Sequence, residues 1–317
     1  MPLKNQVHVD ALLSMAAVDY KNAAFIASLA APVVPVAKQS GKYAVFNKKD
    51  RFSRPVTARG PKAKANEIDW GGDFETYSCS EYALREFLPD SISANADAPI
   101  RPRVRAVEIL TDLILLDREI RVAALATTAA NYDSAHKTTL TGNSQLDQYA
   151  TSDPLGVIDT AKAACFTDPN TLIMGKAVYD RLKRHPQLLD HVKGGSTSAS
   201  PAAVGLEQMA EIFEVERVLV GAAQYNSANR GQTASFSRVW GKFIVAAYID
   251  PNPQMTGVSA YKTFQWTEMA QGAQGFKVRA WRDEERGGGG EVIEVETAYD
   301  EVMVCADVCY LVSGAVS

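Results

Sequence analysis

The chain has 317 residues, 46% of them apolar and 22% charged, which is the composition of an ordinary folded protein with enough length for a sizeable core. Its formal net charge of -4 excludes a molecule that binds nucleic acid through overall charge. Neither a signal peptide nor a membrane span is expected: no charged n-region leads into an apolar run, and Asp19, Lys21, Pro32 and Pro35 interrupt the Ala-rich stretch 11–37.

Residues 1–40 read as an arm. Positions 9–31 hold one or two helical turns at most, and the run Ala31-Pro-Val-Val-Pro-Val36 is forced extended, because proline disfavours helix at the residue before it. Such a segment buries little against itself and needs a partner surface. Tyr43 to Phe46 and Phe74 to Ser80 alternate as two strands of a long hairpin. The tip between them is uneven in charge. Lys38 to Lys64 carries nine basic residues and one acid, Asp50, whereas Glu67 to Asp90 carries seven acids and one base, Arg85. A loop of this size inside a compact unit signals a functional contact or disorder. Glu81 to Leu88 reads as a short helix stopped by Pro89.

Pro102 to Tyr132 is the clearest element. Ala106, Ile109, Leu110, Leu113, Leu116, Ile120 and Ala124 recur at helical steps and define its apolar face, with Asp117 and Arg121 paired on the other side. Such a helix is about 45 Å long, a spine for something elongated. Residues 141–264 then alternate helix and strand in a mixed α/β unit: helices over 155–165, 176–184, 186–192 and 206–213, and strands over 171–174, 215–220 and 240–249. The end is β-rich. Strands over 276–281 and 292–295 flank a polar hairpin tip, Arg282 to Gly290, and 302–312 reads as one last strand. On it, Cys305 and Cys309 would share a face.

The search for chemistry is negative. The glycines at 287–290 lack a downstream Gly-Lys-Ser/Thr and open no helix, so no P-loop is expected there. No Gly-x-Gly-x-x-Gly follows a strand, and no Gly-x-Ser-x-Gly elbow occurs. Cys79, Cys165, Cys305 and Cys309 form no CxxC pair and read as reduced, core-filling thiols. His185 and His191 are six apart around Pro186, a poor spacing for a metal, and read as surface residues. No catalytic, cofactor-binding or metal-ligating residues are assigned, and no cofactor is expected. The candidate functional residues are charged contacts instead: Lys48, Lys49, Arg51, Arg54, Arg59, Lys62 and Lys64 on the basic part of the hairpin. Glu67, Asp69, Asp73 and Glu75 on its acidic part, and Asp283, Glu284 and Glu285 on the later tip, complete the set. Opposite charge on one hairpin suits head-to-tail pairing of copies, because complementary potentials fix register. Phosphate contact is the lesser alternative, since few aromatics accompany the basic run.

The run Asn170 to Lys193 (NTLIMGKAVYDRLKRHPQLLDHVK) resembles the core of major capsid proteins of tailed phages with the Hong Kong 97-type fold. Ala210 to Asn226 (AEIFEVERVLVGAAQYN), Gly231-Gln-Thr-Ala-Ser and Val239-Trp-Gly-Lys-Phe continue the likeness. It is strong over 155–265 and architectural elsewhere. The resemblance implies an α+β capsid fold: N-terminal arm 1–40, extended β-hairpin loop 41–90, peripheral domain 91–140 and 265–300 with its spine helix, and axial α/β domain 141–264 and 301–317. It implies pentamers and hexamers of an icosahedral shell around double-stranded DNA, held by non-specific contact. The expected partners are the protein's own copies, a portal and a scaffold, with room for a decoration protein and none for a membrane. The shell would be part of the virion and assembled in the host cytoplasm. Because the arm starts at once, a separate scaffolding protein is expected rather than a fused, cleaved one. The tip 282–290 contains no asparagine, so no covalent lysine–asparagine cross-link is expected. An encapsulin-like nanocompartment shell is the nearest alternative. An α/β enzyme built on 141–264 is the alternative of another class.

Overall fold

The computed structural model describes residues 8–9, 25–45, 54, 57–61, 63–65, 67, 73–95, 101–193, 203–229, 231–269, 275–286 and 288–317. Two sheets and one long helix carry the architecture. The first sheet sets β6 (Lys137–Thr139), β15 (Cys309–Ser313), β11 (Ile244–Ala247), β7 (Thr171–Gly175) and β8 (Arg217–Gly221) side by side in that order. β11 is antiparallel to both neighbours, and the two edge strands are parallel to theirs. Every residue of β7 and β11 is buried, as strands that read as continuous apolar runs require. On one face Leu172, Met174 and Ile244 pack against α4 (Pro154–Ala164), α5 (Lys176–Leu182), α6 (Pro186–Lys193) and α7 (Leu206–Ile212). On the other face Ile173, Val245 and Leu311 meet α3 (Pro102–Thr127) through Val122, Ala123 and Ala126, and α1 (Ala27–Ala30) through Ala27 and Ala30.

The second sheet is organised by the 14-residue strand β14 (Gly290–Met303). β5 (Ser80–Pro89) runs antiparallel along one edge of it, from Gly290↔Pro89 to Tyr299↔Ser80. β13 (Lys277–Asp283) and then β12 (Tyr261–Trp266) share the other edge. β2 (Val33–Val36) adds parallel to β12, and β1 (His8–Val9) antiparallel to β13. The N-terminal half of α3 covers this sheet, with Val107, Leu110 and Ile114 on Phe276, Val278, Ile293 and Val295. The spine helix therefore passes from one sheet to the other along its length. β3 (Ser40–Val45) and β4 (Asp73–Ser78) pair as the root of the long hairpin. Tyr43 and Tyr77 seat that root on Phe264 of β12, with ring centroids 5.2 and 4.7 Å apart.

Several expectations need correction. Glu81 to Leu88 is strand and not helix. Glu, Ala, Leu and Arg all favour helix locally, but the long ladder offered by β14 outweighs that preference. Only 90–94 forms a short helix there, α2 (Asp90–Ala94). The spine helix is 26 residues, about 39 Å, and stops before Tyr132. Thr127 and Thr128 hydroxyls donate back to the carbonyls of Ala123 and Ala124 at 2.8 and 2.6 Å, and Asn131 caps the carbonyl of Leu125 at 2.8 Å. Its buried face is also rotated from the expected one. Val107, Thr111, Ile114, Arg118, Glu119 and Val122 are inside, while Ile109 and Leu113 are 46% and 47% exposed. The expected stripe does not include Arg118 and Glu119, but the fold buries both, and the buried face turns with them. The last strand is two: Val302 and Met303 end β14, a turn at 306–308 follows, and Cys309 opens β15 in the other sheet. Cys305 and Cys309 consequently share no strand, though both are buried and free. His185 is buried rather than exposed.

Candidate subunit interface

Of the sequence-predicted contact residues, Lys48, Lys49, Arg51, Lys62 and Asp69 lie outside the described residues. Arg54, Arg59, Lys64 and Glu67 are exposed. Asp73 closes the β3–β4 ladder opposite Val45. Glu75 is exposed and accepts the Tyr43 hydroxyl at 2.6 Å, and burial, helped by this carboxylate, raises the tyrosine well above its ordinary range. Asp283 ends β13 and lies 3.5 Å from Arg286, and Glu284 lies 3.3 Å from Arg282, which also reaches Asp90 at 2.7 Å. Glu285 is exposed and donates its backbone N–H to Asp283. Charges of the later hairpin tip are thus partly matched within it. Among the described residues no ion pair joins them to the basic part of the long hairpin.

A surface that sequence reasoning missed lies between β5 and α3. Tyr82, Leu84, Glu86 and Leu88 stand opposite Thr297, Val295, Ile293 and Glu291 of β14, so they share the sheet face that α3 covers. The helix does not reach across them. Leu84 remains 39% exposed, and Ile92 of α2, Ile109 and Leu113 are 53%, 46% and 47% exposed. The groove between Leu88, Ile92, Arg105 and Ile109 holds about 600 Å³. Further along α3, Arg121 stacks 3.8 Å above the Tyr82 ring and pairs with Glu301 at 2.9 Å and with Asp117. Alternation along 82–88 was the available signal, and the helical reading hid it. An apolar trough rimmed by charge is the form of a macromolecular contact.

The arrangement offers little for catalysis. Among the described residues no group of three His, Cys, Asp or Glu could hold a metal. Ser152 lies 3.0 Å from Nε2 of His185, and Nδ1 of that ring accepts the Gln187 N–H at 3.3 Å. The ring therefore donates through Nε2 to Ser152, whose hydroxyl donates on to the Gln148 carbonyl at 2.8 Å. A histidine that donates to a buried serine cannot serve as its base. Burial holds the His185 pKa below the usual histidine value. Burial likewise pushes the thiols of Cys79 up to about 11 and of Cys165 and Cys309 up to about 12, so none is a ready thiolate. No helix among the described residues is long and apolar enough to cross a membrane.

Known proteins place this geometry in context. No family model matches the chain. It is 30% identical to the major capsid protein of Pseudomonas phage JBD67 over 310 residues, 98% of this chain and 97% of the relative. It is 33% identical to the major capsid protein of Burkholderia phage BcepMu over 248 residues, 76% of each. A phage-related protein from Bordetella bronchiseptica RB50 superposes over 98% of both chains with a TM-score of 0.73 at 24% identity. The putative capsid protein of an Escherichia coli CFT073 prophage does so over 97% of this chain and 99% of its own, with a TM-score of 0.58 at 11% identity.

Proposed function

The chain belongs to the phage major capsid protein family, and from that premise we propose that its basic loop and the β5–α3 groove are the contacts through which copies build an icosahedral shell of pentamers and hexamers around double-stranded DNA. It is a shell-forming capsid protein of α+β fold, a structural component of the virion, and it assembles with itself. The finer picture is our reading. Arm 1–40, extended loop 41–90, peripheral domain 91–140 with 265–300, and axial domain 141–264 with 301–317 serve as the working division. A separate scaffolding protein and a portal act with the shell during assembly in the host cytoplasm, DNA is held by non-specific contact, and a decoration protein can bind outside. An enzyme on residues 141–264 is disfavoured because the relatives are structural proteins. The encapsulin-like alternative has the same fold but less support, since the relatives that match over most of the chain are phage major capsid proteins.

One observation carries the loop reading. The hairpin root is fixed by Tyr43 and Tyr77 on Phe264, while Arg54, Arg59 and Lys64 stand exposed with no ion pair among the described residues. A stiff root that presents unmatched positive charge suits an acidic neighbour, and Glu67 to Glu86 repeats the opposite charge on every copy. Charge reversal at Arg51, Arg54 and Arg59 together tests it. The expected result is a soluble subunit with unchanged circular dichroism that forms few or no particles under the electron microscope. Wild-type particle yield from this variant would refute the contact role.

A further inference from the structure

We infer that Arg118 and Glu119 form a latch that fixes the root of the N-terminal arm and ties the two sheets together, and that a shell of uniform curvature depends on it. The inference rests on the shell-forming role above. The pair sits where α3 changes partners: Ile114, one turn before, packs on the β13–β14 sheet, and Val122, one turn after, packs on the β7–β11 sheet. Both side chains are almost fully buried, Arg118 at 4% and Glu119 at 0% exposure.

Glu119 holds one end of the arm helix α1. Its carboxylate accepts the backbone N–H of Ile26 at 3.1 and 3.0 Å and that of Ala27 at 2.7 Å. These are the N-cap and first residue of α1. Arg118 holds the opposite end, donating to the carbonyl of Ala31 at 3.3 Å, the C-cap of the same helix. Negative charge meets the amide end and positive charge the carbonyl end, as the peptide dipoles require. A helix of four residues has no stability of its own, so these two consecutive side chains hold it.

Each grip also reaches a different sheet. Glu119 accepts the indole N–H of Trp240 at 2.5 Å, and Trp240 packs in the core under the β7–β11 sheet, close against Gly221 of β8. Arg118 donates to Thr263 of β12 at 3.2 Å and lies 5.0 Å above the ring of Tyr299 of β14. Thr263 closes the circuit by donating to Ala31 at 3.1 Å. Burying two charges gives no clear advantage in stability over an apolar contact of the same volume, so their contribution here is to specify one geometry. The arm root is held at a fixed point, and the two sheets meet at one setting, only while the three donors converge on this carboxylate.

The test compares E119Q, W240F and R118K with wild type, using amide hydrogen exchange on the subunit and electron microscopy of assembled particles. In E119Q, the Ile26 and Ala27 amides should exchange at least about tenfold faster while β7 and β11 stay protected, as expected when one local contact opens. Its particles should vary widely in diameter or remain open. W240F cuts only the tie to the β7–β11 side, so arm protection should persist while particle size broadens. If E119Q does not fold, R118K and W240F decide, since each leaves the carboxylate in place. Uniform, wild-type-sized shells from both of these would overturn the latch. So would an equal loss of protection across every sheet in E119Q, which would make Glu119 a general stabilising residue. Wild-type protein that forms no shell would instead count against the shell role, and the exchange data would still judge the grip on α1.

Discussion

Strands β7 and β5 contrast the two halves of the molecule. β7 is buried at every residue, covered by helices on one face and by the spine and arm helices on the other. β5 is twice as long, yet Leu88 is its one buried residue. The β14 sheet to which it belongs has an apolar face under α3 and a charged face with a ladder in which Arg279 meets Glu294 at 2.5 Å and Glu296 at 2.6 Å. The first half satisfies its own packing. The second leaves an apolar trough open on one face among the described residues, and exposed apolar patches of this kind are what neighbouring molecules cover. Stability and assembly are therefore separable by position along the chain.

The largest expected effect lies in the self-sufficient half. Leu172 is fully buried in the middle of β7, and Leu172→Ala should lower unfolding stability by about 2–5 kcal/mol through lost burial plus the cavity left behind. A urea titration reads this as a shifted midpoint at unchanged slope. A shift under about 0.5 kcal/mol would mean that this sheet is not the stabilising core, and the contrast would fail.

How much of this was legible in the sequence follows the same division. Strands β2, β4 and β7 and the helices of residues 154–212 were readable, because local alternation, proline and helical spacing determine them. β5 was not, since its residues satisfy a helical period as well as an alternating one, and its partner strand is distant in sequence. The spine helix was legible as a helix but not in its orientation. Arg118 and Glu119 are polar, and no local rule says that a four-residue arm helix will bury them. Charge on the long hairpin was visible from composition alone. The trough was invisible, because it is made of two surfaces that meet only in the folded chain.

A smaller effect probes the helical layer of the first half through pH. His185 is buried, and burial lowers its pKa below the ordinary value. The unfolded chain therefore takes up this proton at higher pH than the folded one. The sign follows: its contribution is present above the unfolded histidine pKa of about 6.5 and is lost as pH falls through the lower folded value. Urea midpoints measured from pH 7.5 down to 5 should decline for wild type. His185→Gln should remove that part of the slope while keeping the carboxylate-dependent part common to both. Identical slopes in the two proteins would show that the ring titrates as it does in solvent.

The milder loss of stability is expected in the incomplete half, and there it separates the two properties. Ile109 lines the groove and Leu113 follows one turn later on α3, both nearly half exposed. Replacing both by serine removes side chains that the isolated subunit buries only in part, so unfolding stability should fall by about 1–2 kcal/mol, less than the cost of emptying a full core site. Serine also lowers helix propensity, but only by tenths of a kcal/mol per position. A neighbour that covers the trough does bury those side chains, and losing them removes contact area at every copy of the interface. The same double variant should therefore still fold, with a urea midpoint only modestly below wild type, and yet give few closed particles. Normal shells from it would mean that the groove is ordinary surface, leaving the charged hairpin as the contact that distinguishes this half from the other.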